Sequence, residues 1–316
     1  MKRIASMVVL AVWIGILAPP GPATAEVPGP NGRILFVRYT ATCEGCQLTT
    51  IDPDGSSPHR FRDTNAAAWS PNGARLASYV ETADGRFATV VFDADGSNRT
   101  VFEIPDPTLT LPCTFWAPDG ARLICEGWDD ARPHRPAGMF SVSSTDGSDL
   151  VRITSNPYGG HDIPTDVAPD GNRIVFLREN PLRKRHPIAM FTVGIDGSMP
   201  TRISGWQTDE ICCQMSWSPD GRQILFTRNG ILHTITPDGA TRRTITLDTG
   251  GDFAFAFNPT WSPDGTRIAF ALYVGSTNQI DVFTAAADGT DLFQVTDTWV
   301  REGLVDWGTH PVASRS

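Results

Sequence analysis

One short pattern, written six times, constrains this chain more than any other feature. The stretch "MSWSPDGRQILF" (215–226) returns as "PTWSPDGTRIAF" (259–270), and related segments carry their turn glycine at Gly32, Gly73, Gly120, Gly171, Gly221 and Gly265, 41 to 51 residues apart. A second marker, Asp-Gly, follows each first one, at Gly55, Gly96, Gly147, Gly197, Gly239 and Gly289. Self-similarity at a period of roughly 20–50 residues marks a repeat architecture. Both markers are turn chemistry: proline presets φ for the second turn position, Asp or Asn tolerates the third, and glycine takes the left-handed conformation that starts the return strand. Between the turns run short apolar or alternating segments such as Ile224-Leu225-Phe226 and Ile268-Ala269-Phe270, which read as strands. No segment sustains helical periodicity.

Two hairpins per repeat give four strands, A to D. Such units at this spacing predict an all-β fold, a six-bladed β-propeller with four antiparallel strands per blade. The tryptophan that ends strand A, at Trp69, Trp116, Trp217 and Trp261, with Val167 in the fourth copy, is expected as a wedge between neighbouring blades. The first copy starts at Pro30-Asn31-Gly32 with no strand A before it, while "LVDWGTHP" (304–311) is a strand A with no blade after it. The C-terminal strand is therefore expected to complete the first blade. That closure leaves no open inner edge and makes Val305 and Trp307 packing residues.

Residues 1–25 have the zones of a secretory signal: "MKR", the apolar run "IASMVVLAVWIGILA" and the small-residue site Ala23-Thr24-Ala25. Its removal would leave Glu26 first, so 26–316 is expected as a single propeller domain, secreted or periplasmic, with no membrane span. Six cysteines in an exported chain read as disulfides. The formal net charge of −9 argues against nucleic acid as a partner.

The "WSPDG..IAF" turn followed by blade ends such as Val151-Arg152-Ile153-Thr154, Thr201-Arg202-Ile203-Ser204 and Phe293-Gln294-Val295-Thr296 resembles the TolB-type six-bladed propeller over nearly all of 31–311. Propellers similar to this serve as periplasmic partners of lipoproteins, as gating domains of serine peptidases and, in a few cases, as polysaccharide-acting enzymes. The resemblance thus implies a fold and leaves the function open. Neither the extra domain ahead of the propeller in the family's namesake nor a peptidase domain is expected here.

In a propeller of this kind the Pro-Asp-Gly and Asp-Gly turns share one face. The B-to-C loops and the D-to-A connections share the other, where length varies and binding is expected. All six cysteines map to that loop face. Taking the turn to pair residue 117 with 121 places Cys113 opposite Cys125 for a cross-strand disulfide. Cys43 and Cys46 would clamp the first B-to-C hairpin, with a thioredoxin-like redox role as the alternative. Cys212 and Cys213 form a vicinal bridge, or one of them bonds elsewhere. A zinc site is the sharper reading of these cysteines, but their spacing matches no standard ligand pattern. No metal or cofactor is expected.

The candidate ligand residues at the channel mouth are His161, Asp162, Asp209, Glu210 and Asp252. Arg183, Lys184, Arg185 and His186, with His134 and Arg135 on the neighbouring blade, form a basic ridge suited to an acidic partner or a uronate-like sugar, or else simply a solvated loop. The expectation that follows is an exported, monomeric, non-catalytic propeller binding a protein, peptide or cell-envelope component through its loop face and channel mouth. The alternative is a hydrolase or lyase acting on polysaccharide or peptide through His161, Asp162 and Glu210.

Overall fold

The computed structural model describes residues 30–39, 46–61, 66–83, 85–102, 106, 108–129, 135–185, 187–207 and 211–309, with the backbone alone for 135, 136 and 211–213. The signal segment, Cys43, His134, His186, Asp209, Glu210 and the side chains of Arg135, Cys212 and Cys213 lie outside these residues, and with them the expected Cys43–Cys46 and Cys212–Cys213 pairings. The described residues contain no helix. They form six antiparallel sheets; five have strands A to D in chain order from the inside outward, and in the first blade the C-terminal strand supplies A.

The turns behave as their residues require. In five A-to-B turns the glycine has φ between 64° and 70° and donates its N–H to a carbonyl three residues back, as from Gly221 to Ser218 (2.8 Å) and Gly265 to Ser262 (2.9 Å). The preceding Asp caps the turn, Asp220 Oδ1 accepting from Arg222 N and Asp264 Oδ1 from Thr266 N, both at 3.0 Å. At the C-to-D turns a second constraint appears. A Cβ on Gly197 would stand 2.4 Å from the Ile153 carbonyl oxygen of the preceding blade, so glycine is needed there for close approach as well as for φ. The fifth B-to-C connection is the two-residue hairpin Asn229-Gly230, with φ of 49° and 73° as a type I′ turn demands.

Strand B of each blade points alternate side chains at its two neighbours. In the first blade Ile34 and Phe36 pack with Ala269, Val282 and Trp307, while Leu35 and Val37 pack with Leu76, Val90 and Trp69. Six apolar clusters of this kind hold the molecule together, one at each blade interface. The strand A tryptophans sit in them as wedges. Trp69, Trp116, Trp217 and Trp307 are buried, Trp261 is half-buried, and Val167 fills the fourth interface.

The A strands touch in ring order, Ala67–Trp69, Cys113–Trp116, Asp162–Val167, Ile211–Trp217, Ala254–Trp261, Arg301–Trp307 and back to the first. Closure is as expected. Arg301–Trp307 pairs with Ile34–Tyr39, placing Ile34 opposite Trp307, and the Trp307 indole donates to the Gly32 carbonyl at 3.0 Å.

Cys113 and Cys125 are disulfide-bonded, with Cα atoms 4.0 Å apart. The register that brings them together differs from the sequence-based count. Leu123 pairs with Trp116 and Ile124 with Phe115, so the turn is one residue longer than expected, and a bulge at Thr114 restores the Cys113–Cys125 pair. Strand A of this blade is also split, with Leu109–Thr110 pairing separately near the end of strand B.

Candidate functional site

Strand A lines the central channel, and among the described residues it is bulged in five of the six blades. The ladder slips between Cys113 and Phe115, Pro164 and Asp166, Cys212 and Met215, Phe257 and Thr260, and Gly303 and Asp306. A bulge leaves one residue unpaired and re-aims its side chain. Thr114, Thr165, Gln214 and Leu304, all at these irregularities, line one cavity of about 410 Å3 in the channel. Its rim is formed by Trp69, Trp116, Trp217, Trp261 and Trp307 together with prolines of the tight turns, Pro71, Pro118, Pro169, Pro219 and Pro263. Gln214 crosses from blade five to blade one, its Nε2 donating to the Val305 carbonyl at 2.9 Å. The cavity therefore has a built polar cross-brace within the ring.

The residue before each wedge position is Ala68, Phe115, Asp166, Ser216, Thr260 or Asp306, and all six line this cavity. Two are half-buried carboxylates on blades four and one, opposite members of the ring. Asp166 accepts from the Trp217 N–H at 2.6 Å and from the Val167 N–H at 2.7 Å. Asp306 accepts from the Trp69 N–H at 2.8 Å and the Trp307 N–H at 2.9 Å. Each thus ties its own strand A to that of the next blade.

Burial raises the Asp166 pKa to about 7, against the pull of its backbone donors, and the Asp306 charge adds to the rise. Burial also raises Asp306. Two carboxylates with weakened acidity in a tryptophan-rimmed hollow can hold a proton or meet a cation.

Comparison with solved structures places this ring among known propellers. TolB from Acinetobacter baumannii superposes with a TM-score of 0.66 at 16% identity, over 88% of this chain and 66% of that one. The chain has the TolB-like six-bladed β-propeller fold. A chain of a nidogen/laminin complex matches with a TM-score of 0.63 at 11% identity, over 89% of this chain and 99% of that one. An oligogalacturonate lyase in complex with manganese matches with a TM-score of 0.54 at 14% identity, over 86% and 75% respectively. No protein-family model matches the sequence, and no curated protein matches it.

On the loop face of this TolB-like propeller, His161 and Asp162 sit side by side in the chain but serve different partners. The His161 Nδ1 lies 2.8 Å from Glu126 Oε1, and its ring meets Trp128 edge-on with centroids 4.6 Å apart. The Glu126 hydrogen bond raises the His161 pKa against the opposing effect of burial. Asp162 is buried and held in a fork by Arg178, at 2.7 and 2.6 Å. Asp252 accepts from Ser276 on its own blade at 2.8 Å.

Arg183, Lys184 and Arg185 are exposed on the B-to-C loop of blade four. Among the described residues no group of three or more His, Cys, Asp or Glu could hold a metal ion. No helix among them is long and apolar enough to cross a membrane.

Sequence reasoning passed over Glu126, Asp166 and Asp306. A signal for the last two existed. A polar residue just before the wedge position of an innermost strand faces the channel, and aspartate there, rather than the alanine, phenylalanine, serine or threonine of other copies, stands out once the copies are aligned.

Proposed function

We propose that this TolB-like propeller is an exported, non-catalytic binding protein that receives a chain end or loop tip of a protein ligand in its central channel. The observation that carries this reading is the cavity of about 410 Å3, walled by strand A residues of all six blades and furnished with two half-buried carboxylates that accept backbone hydrogen bonds. That volume falls within the roughly 300–1,000 Å3 of small-ligand pockets. It suits a short segment better than a folded surface.

A basic side chain or terminal amine is the matching group. Its charge would compensate carboxylates that burial disfavours, and the flat indole and proline rim offers apolar contact beside it. The cavity lies at the tight-turn end, with the variable loops at the other mouth, so the ligand is expected to enter between the Pro-Asp-Gly turns. A propeller chain within a nidogen/laminin complex is a precedent for protein binding by this fold.

The test is selection of peptides from a random display library on the protein, followed by affinity measurement with Ala68→Trp, which fills the inner ring. Selected basic peptides should lose about tenfold or more of their affinity and should bind more tightly as pH rises through 7, where Asp166 releases its proton. Unchanged affinity in Ala68→Trp would overturn the reading.

A second reading, hydrolase or lyase, is favoured by one observation, the His161–Glu126 pair at the loop mouth. A hydrogen-bonded imidazole and carboxylate are the parts of a general acid–base couple, although Arg178 has taken Asp162 out of the expected trio. Release of unsaturated or reducing ends from oligogalacturonate, lost in His161→Ala, would establish it.

A further inference from the structure

The basic ridge is more than a charged loop, because its cations are built onto an aromatic base. The Arg183 guanidinium lies 5.6 Å from the centre of the Trp206 ring and that of Arg202 6.0 Å from it. Tyr158 meets the same indole edge-on at 5.5 Å. Trp206 is fixed in turn: the next residue, Gln207, exchanges backbone hydrogen bonds with Ile188 at 2.8 and 2.9 Å, extending the sheet of blade four to its loop end.

The loop that carries the ridge is also ordered by its own sequence. Asn180, 4% exposed, accepts from the Leu182 N–H through its side chain at 3.2 Å and from the Arg183 N–H through its carbonyl at 3.1 Å. Guanidinium groups laid on an indole lose little further freedom on binding and keep their N–H edges for a ligand.

Two more facts describe the occupant. Among the described residues, Arg183, Lys184, Arg185 and Arg202 have no ion-pair partner, although the chain carries a formal net charge of −9. Leu182, beside them in the loop, is 77% exposed. The patch therefore offers donors and apolar surface. A hydroxyl-rich sugar would also call for acceptors, and Asn156, two residues before Tyr158, spends its side chain on the backbone of Tyr158, His161 and Glu179.

We propose that this rim of blade four, Leu182 to Arg185 with Trp206 and Arg202, docks an acidic segment of a partner protein in which carboxylates flank an apolar residue. The site is separate from the channel.

A fluorescein-labelled peptide of repeated Glu-Glu-Leu, followed by fluorescence anisotropy, is the probe, with polyglutamate and oligogalacturonate as comparison ligands. Arg183→Glu combined with Lys184→Glu should weaken the Glu-Glu-Leu peptide about tenfold or more and flatten its salt dependence. Leu182→Ser should weaken that peptide a few-fold while leaving polyglutamate unchanged. Ala68→Trp should leave all three ligands unaffected, which separates this site from the channel.

The altered ridge side chains, Leu182, Arg183 and Lys184, are exposed, and an unchanged unfolding midpoint confirms that the variants fold. Arg183→Gln, which removes the charge at that position without reversing it, serves if the double reversal does not. Equal peptide affinity in wild type and charge variants overturns the proposal. So does tighter, ridge-dependent binding of oligogalacturonate, which would assign the patch to an anionic glycan.

Discussion

At Asp166 one side chain does two incompatible things, and burial decides between them. Its oxygens stitch strand A of blade four to that of blade five, which wants a carboxylate, yet its enclosure raises the pKa from 3.8 to about 7. The folded state therefore keeps a proton that the unfolded chain gives up near pH 4. By linkage, stability from this group is present at low pH and is lost as pH rises towards about 7. His161, whose pKa Glu126 raises, acts in the same sense, its paired form fading as pH rises through its folded value. In Asp166→Asn, which retains a carbonyl oxygen for the Trp217 N–H, the decline of thermal midpoint between pH 5 and pH 8 is expected to be shallower than in wild type. Parallel profiles for the two proteins would show that Asp166 titrates as an ordinary carboxylate.

At the scale of the strand and the hairpin, the disulfide and the closing strand make independent contributions. Cys113 and Cys125 bridge strands A and B of blade three across a separation of 12 residues, so Cys113→Ser should lower unfolding free energy by about 2–4 kcal/mol in denaturant titrations. Addition of reductant should then have no further effect on the variant. Trp307 is buried at the junction of blades six and one and hydrogen-bonded to Gly32. Trp307→Ala should cost about 3–5 kcal/mol, read from the same titrations, and a loss below about 1 kcal/mol would contradict a wedge role.

The strands themselves were readable from the amino acids, because Pro-Asp-Gly and Asn229-Gly230 dictate their turns locally. The bulges in strand A were not. They answer to the curvature of a ring whose other members lie far away in the chain, and the miscounted turn at Ala117 shows how a one-residue error goes unseen when a bulge compensates for it.

For the whole molecule, ring order and closure were legible because a chain lacking its first strand A and ending on a spare one has one economical solution. The site was legible only in part. His161 and Asp162 were placed at the loop mouth by topology, but the partners that define them, Glu126 and Arg178, come from strands B of two blades and leave no local pattern. The cavity arises from six bulged or bordering strands at once, which no single copy of the repeat announces. Hydrogen exchange, with and without a channel-selected basic peptide, tests most directly whether that cavity is where this propeller binds. The result expected is protection concentrated in 66–69, 114–116, 165–167, 214–217 and 304–307, with the B-to-C loops unchanged. Protection confined to those loops, with the inner strands exchanging as in the free protein, would contradict it.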